Sequence, residues 1–446
     1  MERIVVCLAF ILIFAFNSVD NAISPIVQAL SSDFGVSSER ALLFISVCTG
    51  GTVVGLIFGP SLVASLKINK LLGWCAAILA LSQLSFALSS SFELAMVLRA
   101  ISGLTAGFIA SVMWHLTFHG VSKADFPAMI AVLMSARPLA TALGVPAAGL
   151  LTDTYNWHLP ITIIAFFTGL SGLALARLYP QPHNGKTTFQ NSPNEGASKE
   201  TASTEESNPA ANKAVQTQND RDESPATQAI TSKNALSILK KIIDPYIKAL
   251  SVPLAVPYYI GSTINRMAYF GFYSFCGLWF PYHYGLDLKE ISFALLIIGL
   301  ADCLINFATN SIIKKFGHKF TFLTSIILSL LILPIFIYGK LPISWAIAAI
   351  AIFMTLDRIY SMALVISVPD MFPSVGDKTA FGSLNTLTAW GAMSIIAAIQ
   401  GFLTEKLGLG SMETLLIACF IVGGLAITYV QSRTVFGKAV LECNKK

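Results

Sequence analysis

Apolar runs of about 20 residues recur along the chain, separated by short polar turns. A membrane with a hydrocarbon core of ~30 Å is crossed by about 20 apolar helical residues, so each run reads as one span. The spans are 4–27, 41–65, 71–90, 93–118, 127–151, 157–178, 254–281, 290–313, 319–339, 342–368, 378–403 and 412–431. The pattern predicts an all-α integral membrane protein with twelve transmembrane helices in two six-helix bundles. A membrane β-barrel would instead alternate polar and apolar positions over roughly ten-residue segments.

The pattern breaks once. Residues 180–234 are rich in Ser, Thr, Asn, Gln, Glu, Lys and Pro and almost free of large apolar side chains. Such a stretch buries too little surface to offset its ordering entropy, which predicts a disordered linker. The following "ALSILKKIIDPYIKAL", residues 235–250, mixes apolar and basic positions at helical spacing and reads as an interfacial amphipathic helix. The expected organisation is a bundle over 1–179, the linker, the interfacial helix, a bundle over 251–433 and a tail over 434–446.

Composition agrees with a membrane location. Mean hydropathy is +0.69, and 12% of the 446 residues are charged, against about 25% in a soluble chain. The formal net charge of +5 points to no nucleic-acid partner. Its distribution predicts orientation. Lys67, Lys70, Lys123, Lys314, Lys315, Lys319 and Lys378 fall in loops on one side, and Arg40, Lys289, Lys340 and Lys406 on the other. Basic loops favour the cytoplasm, which places both termini and the linker there. Arg3 before an apolar run imitates a signal peptide, but that run is long enough to span and reads as a helix. Six of the seven cysteines lie in apolar segments and read as small buried hydrophobes rather than a disulfide framework. The chain has no phosphate-binding Walker lysine, nucleophile elbow or zinc-ligand spacing, so no enzyme, ATP-driven pump, cofactor or metal site is expected.

Ionisable residues inside spans are expensive and therefore candidates for function. By the helical rise, Asp20 lies ~24 Å from the start of the first span and Arg99 ~9 Å from the opposite end of the fourth, so their depths nearly coincide. They are expected to pair, either as a proton-coupling pair or as a static tie between helices. Arg137 lies ~15 Å into the fifth span, Arg266 ~18 Å into the seventh and Asp302 ~18 Å into the eighth. Arg266 and Asp302 form a possible second-half pair, while Arg137 has no evident acid and reads as a contact for a substrate anion. Asp357 and Arg358 are adjacent and point ~100° apart on a helix, so they cannot share one partner. Tyr269 and Tyr273 in the aromatic seventh span, with Asn385 and Trp390 in the eleventh, complete the expected substrate-binding set. His115 and His119 share a helix face. They read as interfacial histidines before a metal pair or proton step, because no further ligand accompanies them.

Three stretches carry a family resemblance: "DNAISPIVQALSSDFGVS" in the first span, "VLRAISGLTAGFIAS" in the fourth and "ALGVPAAGLLTDTYNWHLPI" in the fifth. Together with the six-plus-six layout they resemble the major facilitator superfamily, in particular its twelve-helix drug/proton antiporter branch with sugar-efflux-like members. The resemblance implies proton coupling through Asp20 and Arg99. The fifth-span stretch stands on its own physics as well. Gly144, Ala147, Ala148 and Gly149 leave a face with almost no side chain for close approach, and Pro146 removes a backbone donor and invites a bend, as a seam that opens and closes requires. Gly51, Gly55 and Gly59 show the same four-residue spacing. One loop departs from the family: Val63 stands where an acid follows Gly59, and Lys314 stands near Gly317 in the equivalent second-half loop.

The resulting expectation is a proton-coupled secondary transporter of the inner membrane, acting as a monomer on a small anionic or amphipathic substrate, with efflux favoured. Uptake of an anionic nutrient or metallophore stays open, as does a transporter-like sensor or scaffold acting through the linker.

Overall fold

The computed structural model describes residues 2–117, 135–178, 246–338, 340–371 and 378–443, with positions 129, 240, 243 and 244. The compact unit comprises Met1–Gln181 with Lys241–Lys446. The expected linker over 180–234, the tail residues 444–446, Lys123 and His119 lie outside the described residues. Of the expected interfacial helix, residues 246–250 are helical, and Lys248 pairs with Asp244 at 2.8 Å.

Among the described residues the compact unit is a bundle of twelve main helices. In chain order they are α1 (Glu2–Ala22), α2 (Leu43–Ser65), α3 (Ile68–Ala87), α4 (Phe92–His115), α5 (Val145–Thr154, continuing a π-helical turn over Ala140–Gly144), α6 (His158–Leu178), α7 (Ala255–Tyr284), α8 (Leu288–Phe316), α9 (His318–Tyr338), α10 (Ile343–Met371), α11 (Lys378–Leu407) and α12 (Leu409–Cys443). Nine helices among the described residues are long and apolar enough by themselves to cross a membrane. The near side of the bundle is the one on which Glu2 lies, and the other is the far side.

Local chemistry sets the breaks. The first span ends at Ala22 rather than 27, because Pro25 supplies no N–H and disfavours helix at Ser24. The chain turns and forms a short far-side helix, Val27–Phe34, closed by Gly35 at φ 62°. Pro146 acts on α5 in a similar way. It cannot donate to the preceding turn, and the Val145 N–H reaches back five residues to the Ala140 carbonyl. The bend invited by proline is thus a π-helical turn.

The packing pairs repeat with an offset of six. Helix α2 packs on α4 as α8 packs on α10, α1 on α6 as α7 on α12, and α3 on α4 as α9 on α10. The two halves meet through α2 with α11 and through α5 with α8, pairs that exchange under the same offset. This is the signature of two six-helix halves related by a pseudo-two-fold axis. Within the first half, α2 and α4 touch at backbone level: a Cβ on Gly103 would strike the Cys48 carbonyl, and one on Gly107 would strike Gly55. Gly51 and Gly55 therefore serve a fixed crossing. Gly149 serves the seam, facing Ser292 of α8 in the other half, and Gly144 lies against Ser18 of α1.

Candidate functional site

The polar residues isolated in the spans form three clusters. The first joins α1, α2, α3 and α4. Arg99 Nη2 donates to Asp20 Oδ1 at 3.3 Å, and the Cys48 thiol donates to the same oxygen at 3.2 Å. Arg99 Nε reaches the Phe44 carbonyl at 3.4 Å, and its guanidinium lies over the Phe86 ring at 5.5 Å. Both side chains are almost wholly buried. Asp20 Oδ2 and Arg99 Nη1 have no hydrogen-bond partner among the described residues. A charge-assisted bond closes at 2.7–2.9 Å when geometry permits, so this pair is buried, loose and only half satisfied.

The second cluster is a small cavity of about 40 Å³ between the two halves. It is lined by Asn21, Arg137, Thr141, Tyr269, Phe270, Tyr273 and Arg358. Asn21 donates to Thr141 Oγ1 at 3.1 Å. Asp20 and Asn21 are consecutive on α1, so one faces Arg99 and the other the cavity. Arg137 answers the question left by its sequence. No carboxylate lies within ion-pair distance among the described residues; its guanidinium lies 4.8 Å from the centre of the Phe270 ring and 4.6 Å from that of Trp390. Its Nη2 approaches Met393 Sδ at 3.8 Å. Two aromatic rings hold the cation in place by cation–π attraction without neutralising it.

The third cluster corrects an expected pair. Arg266 does not meet Asp302. Arg358 does, in a two-bond fork: Nε to Oδ1 at 2.9 Å and Nη2 to Oδ2 at 2.6 Å. Arg266 instead donates to Asn385 twice, to its carbonyl at 3.0 Å and to its Oδ1 at 2.9 Å. Matching depth was not enough, because α8 packs extensively on α10, the helix that carries Arg358. Asp357, the adjacent residue on the helix, takes no part in that ion pair. Of the expected substrate-binding residues, Arg137, Tyr269 and Tyr273 line the cavity, Trp390 supports Arg137 from behind, and Arg266 and Asn385 hold each other outside the lining.

Four contributors carried a weak signal or none in the sequence. Asn21 and Thr141 lie beside residues already singled out, and their polarity inside spans marks them. Phe270 and Met393 are apolar residues in apolar runs and carry no mark. Asp33 is also better bound than its place at a helix end implies: its Oδ2 accepts the Trp157 indole N–H at 3.1 Å.

The halves are fastened on the far side of the cavity. Ser24 Oγ lies 2.8 Å from the carbonyls of both Tyr273 and Ser274 on α7, and it accepts the Gly277 N–H at 3.4 Å. Ser46 of α2 and Ser394 of α11 exchange hydroxyl-to-carbonyl bonds at 2.8 and 2.9 Å.

Two six-helix halves around a polar cavity, fastened on one side of it, define a multi-pass membrane transporter. The family model described as Major Facilitator Superfamily matches residues 6–396, and the chain belongs to that superfamily. The uncharacterized MFS-type transporter YceJ of Bacillus subtilis (strain 168) is 20% identical over 328 residues, 72% of this chain and 70% of that protein. The inner membrane transport protein YnfM of Escherichia coli (strain K12) is 22% identical over 170 residues, 37% of this chain and only 40% of that protein. Among solved structures, a D-xylose-proton symporter superposes with TM-score 0.65 at 12% identity, covering 96% of each chain. The nucleoside transporter NupG superposes with TM-score 0.63 at 12% identity, covering 96% of this chain and 99% of its own. At such identities the structural likeness speaks for the fold alone. The family and these relatives are transporters, not enzymes.

Proposed function

We propose that this chain is a proton-coupled secondary transporter of the inner membrane that exports a small anionic or amphipathic molecule. It works as a monomer with both termini cytoplasmic. The bundles over 1–179 and 251–433 rock about the central cavity, with 180–234 as a cytoplasmic tether. The observation that carries this reading is α1 itself: it presents Asp20 to Arg99 and, one residue on, Asn21 to the cavity beside Arg137.

Protonating Asp20 removes its attraction for Arg99 and frees that guanidinium to seek the Phe44 carbonyl and water. The same event loosens α1, whose far end is pinned to α7 through Ser24. Ionised, Asp20 recaptures Arg99 and draws α1 back toward α4. Proton binding and the far-side closure therefore act on one helix. In the cavity, Arg137 offers an uncompensated charge. An isolated guanidinium at that depth costs several kcal/mol, and a substrate carboxylate or phosphate repays that cost through a bidentate contact. Tyr269, Tyr273 and Phe270 suit an apolar or aromatic remainder. With the near side cytoplasmic, the structure is closed to the outside.

A ligand screen tests the cargo. Aromatic carboxylates and organic phosphates are added to purified protein, and its thermal midpoint is followed. Ligands that bind the folded state raise it. Anionic compounds are expected among the hits, with smaller shifts for Arg137→Lys. Hits confined to cations and neutral sugars contradict the anion reading. Efflux from loaded vesicles against uptake into empty ones, under an imposed pH gradient, decides direction.

A further inference from the structure

We infer that Asp357 is a second proton-binding site, in the second half of the molecule and separate from Asp20. The inference deepens the proton-coupled reading above and rests on it.

The neighbouring charges already have partners. Asp302 is fully engaged by the fork of Arg358. Arg266 is held by two neutral oxygens of Asn385. Neither arginine is within ion-pair distance of Asp357. That carboxyl is 6% exposed. Its best contact is the Ser361 hydroxyl, 3.5 Å from Oδ2, a distance at the edge of any useful hydrogen bond. Its Oδ1 has no partner among the described residues.

Two more groups in this neighbourhood share that condition. Arg266 Nε and the Tyr360 hydroxyl are buried and lack hydrogen-bond partners among the described residues. The groups that act on Asp357 electrostatically are Arg266 and Tyr269 from α7, Asp302 from α8, and Arg358 and Tyr360 on its own helix. Phe322 of α9 covers Tyr360 with its ring, 5.1 Å between centroids. Asp357 Oδ1, Arg266 Nε and the Tyr360 hydroxyl are thus three buried polar atoms without partners among the described residues, and Arg266 and Tyr360 act electrostatically on or with Asp357.

A buried carboxylate with no cation in contact does not remain charged without cost; it neutralises instead. A metal cation is a poor occupant, because two guanidinium groups face the same space and repel it. A proton is small enough and needs only one oxygen. It arrives from water, forms a single O–H bond on Asp357, and returns to water when the carboxyl ionises. Ionised, Asp357 attracts Arg266 and competes for Arg358, the residue through which the pair lines the cavity. Protonated, it leaves Arg358 to Asp302 alone. A proton here thus reaches the substrate cavity through α10, as one on Asp20 does through α1.

Infrared difference spectroscopy on the full-length protein in proteoliposomes tests this with the proton as the only ligand. The pH is stepped without substrate, and the carbonyl stretch of protonated carboxyl groups is followed. Wild type is expected to show two titrating carboxyl signals. Asp357→Asn loses one and Asp20→Asn loses the other. Arg266→Gln, which removes a neighbouring positive charge, moves the Asp357 signal to higher pH. A spectrum in which Asp357→Asn keeps every wild-type signal overturns the inference, and a loss confined to Asp20→Asn leaves the Asp20 reading standing. If Asp357→Asn fails to fold, Asp357→Glu and Arg266→Gln carry the test, and no displacement of any signal in either overturns it.

Discussion

Asp20 and Arg99 meet through one contact at 3.3 Å, whereas Asp302 and Arg358 meet through two, at 2.9 and 2.6 Å. The first pair is the more deeply buried, yet it leaves an oxygen and a nitrogen unsatisfied. The second lies against the cavity and leaves nothing over. A forked pair is a fastening, since opening it loses two short bonds at once. A single long contact with spare atoms on each side can change partner without first paying for a full rupture. On the proposed reading the looser Asp20–Arg99 pair is the one that changes partner, and the forked Asp302–Arg358 pair is the firmer of the two. The aromatic cradle of Phe270 and Trp390 holds the Arg137 guanidinium in place, and on the proposed reading that charge is offered to the cargo.

The largest expected effect breaks the anchor. Arg358→Gln strands Asp302, which is 2% exposed, and removing one partner of a buried pair costs about 3–5 kcal/mol. Thermal unfolding of the purified variant should fall well below wild type, and adding Asp302→Asn should restore much of the loss. The seam comes next. A Cβ on Gly149 meets the Ser292 side chain, and overpacking of that kind costs about 1–3 kcal/mol. Gly149→Ala should disfavour the far-closed state, visible as increased labelling of a cysteine placed at the cavity from the far side. Gly144→Ala presses on Ser18 within the same half and should disturb stability more than access. Arg137→Lys keeps the charge but loses the planar stack and fork; affinity for an anionic ligand should drop by about tenfold, near 1.4 kcal/mol, in isothermal titration. The smallest effect is expected from the linker: replacing Pro182–Thr227 by Gly and Ser of equal length should leave transport unchanged in vesicles.

The fold was legible because its signal is long and repetitive. Twelve apolar runs impose twelve helices on a chain that must satisfy every backbone group inside hydrocarbon. Asp20 and Arg99 could be matched by depth because a bilayer orders residues along one axis. That same shortcut misled for Arg266. Depth says nothing of which helix stands next to which, and Asp302 turns to Arg358 because α8 packs on α10. The cradle of Arg137 was invisible for a different reason. Phe270 and Met393 look like any other membrane residues until the two halves are brought together. Pro146 was legible as a breaker, but the π-helical turn it accompanies depends on which carbonyl the neighbouring N–H finds.

The claim that Asp20 is the switching acid is tested most directly by proton flux. Wild type and Asp20→Asn are reconstituted into liposomes holding a pH-sensitive dye, and an anionic ligand from the thermal screen is applied as a gradient. The account predicts ligand-driven proton movement in wild type and none through the Asp20 route in the variant, with ligand counterflow retained. Proton movement at the wild-type rate in Asp20→Asn would contradict it.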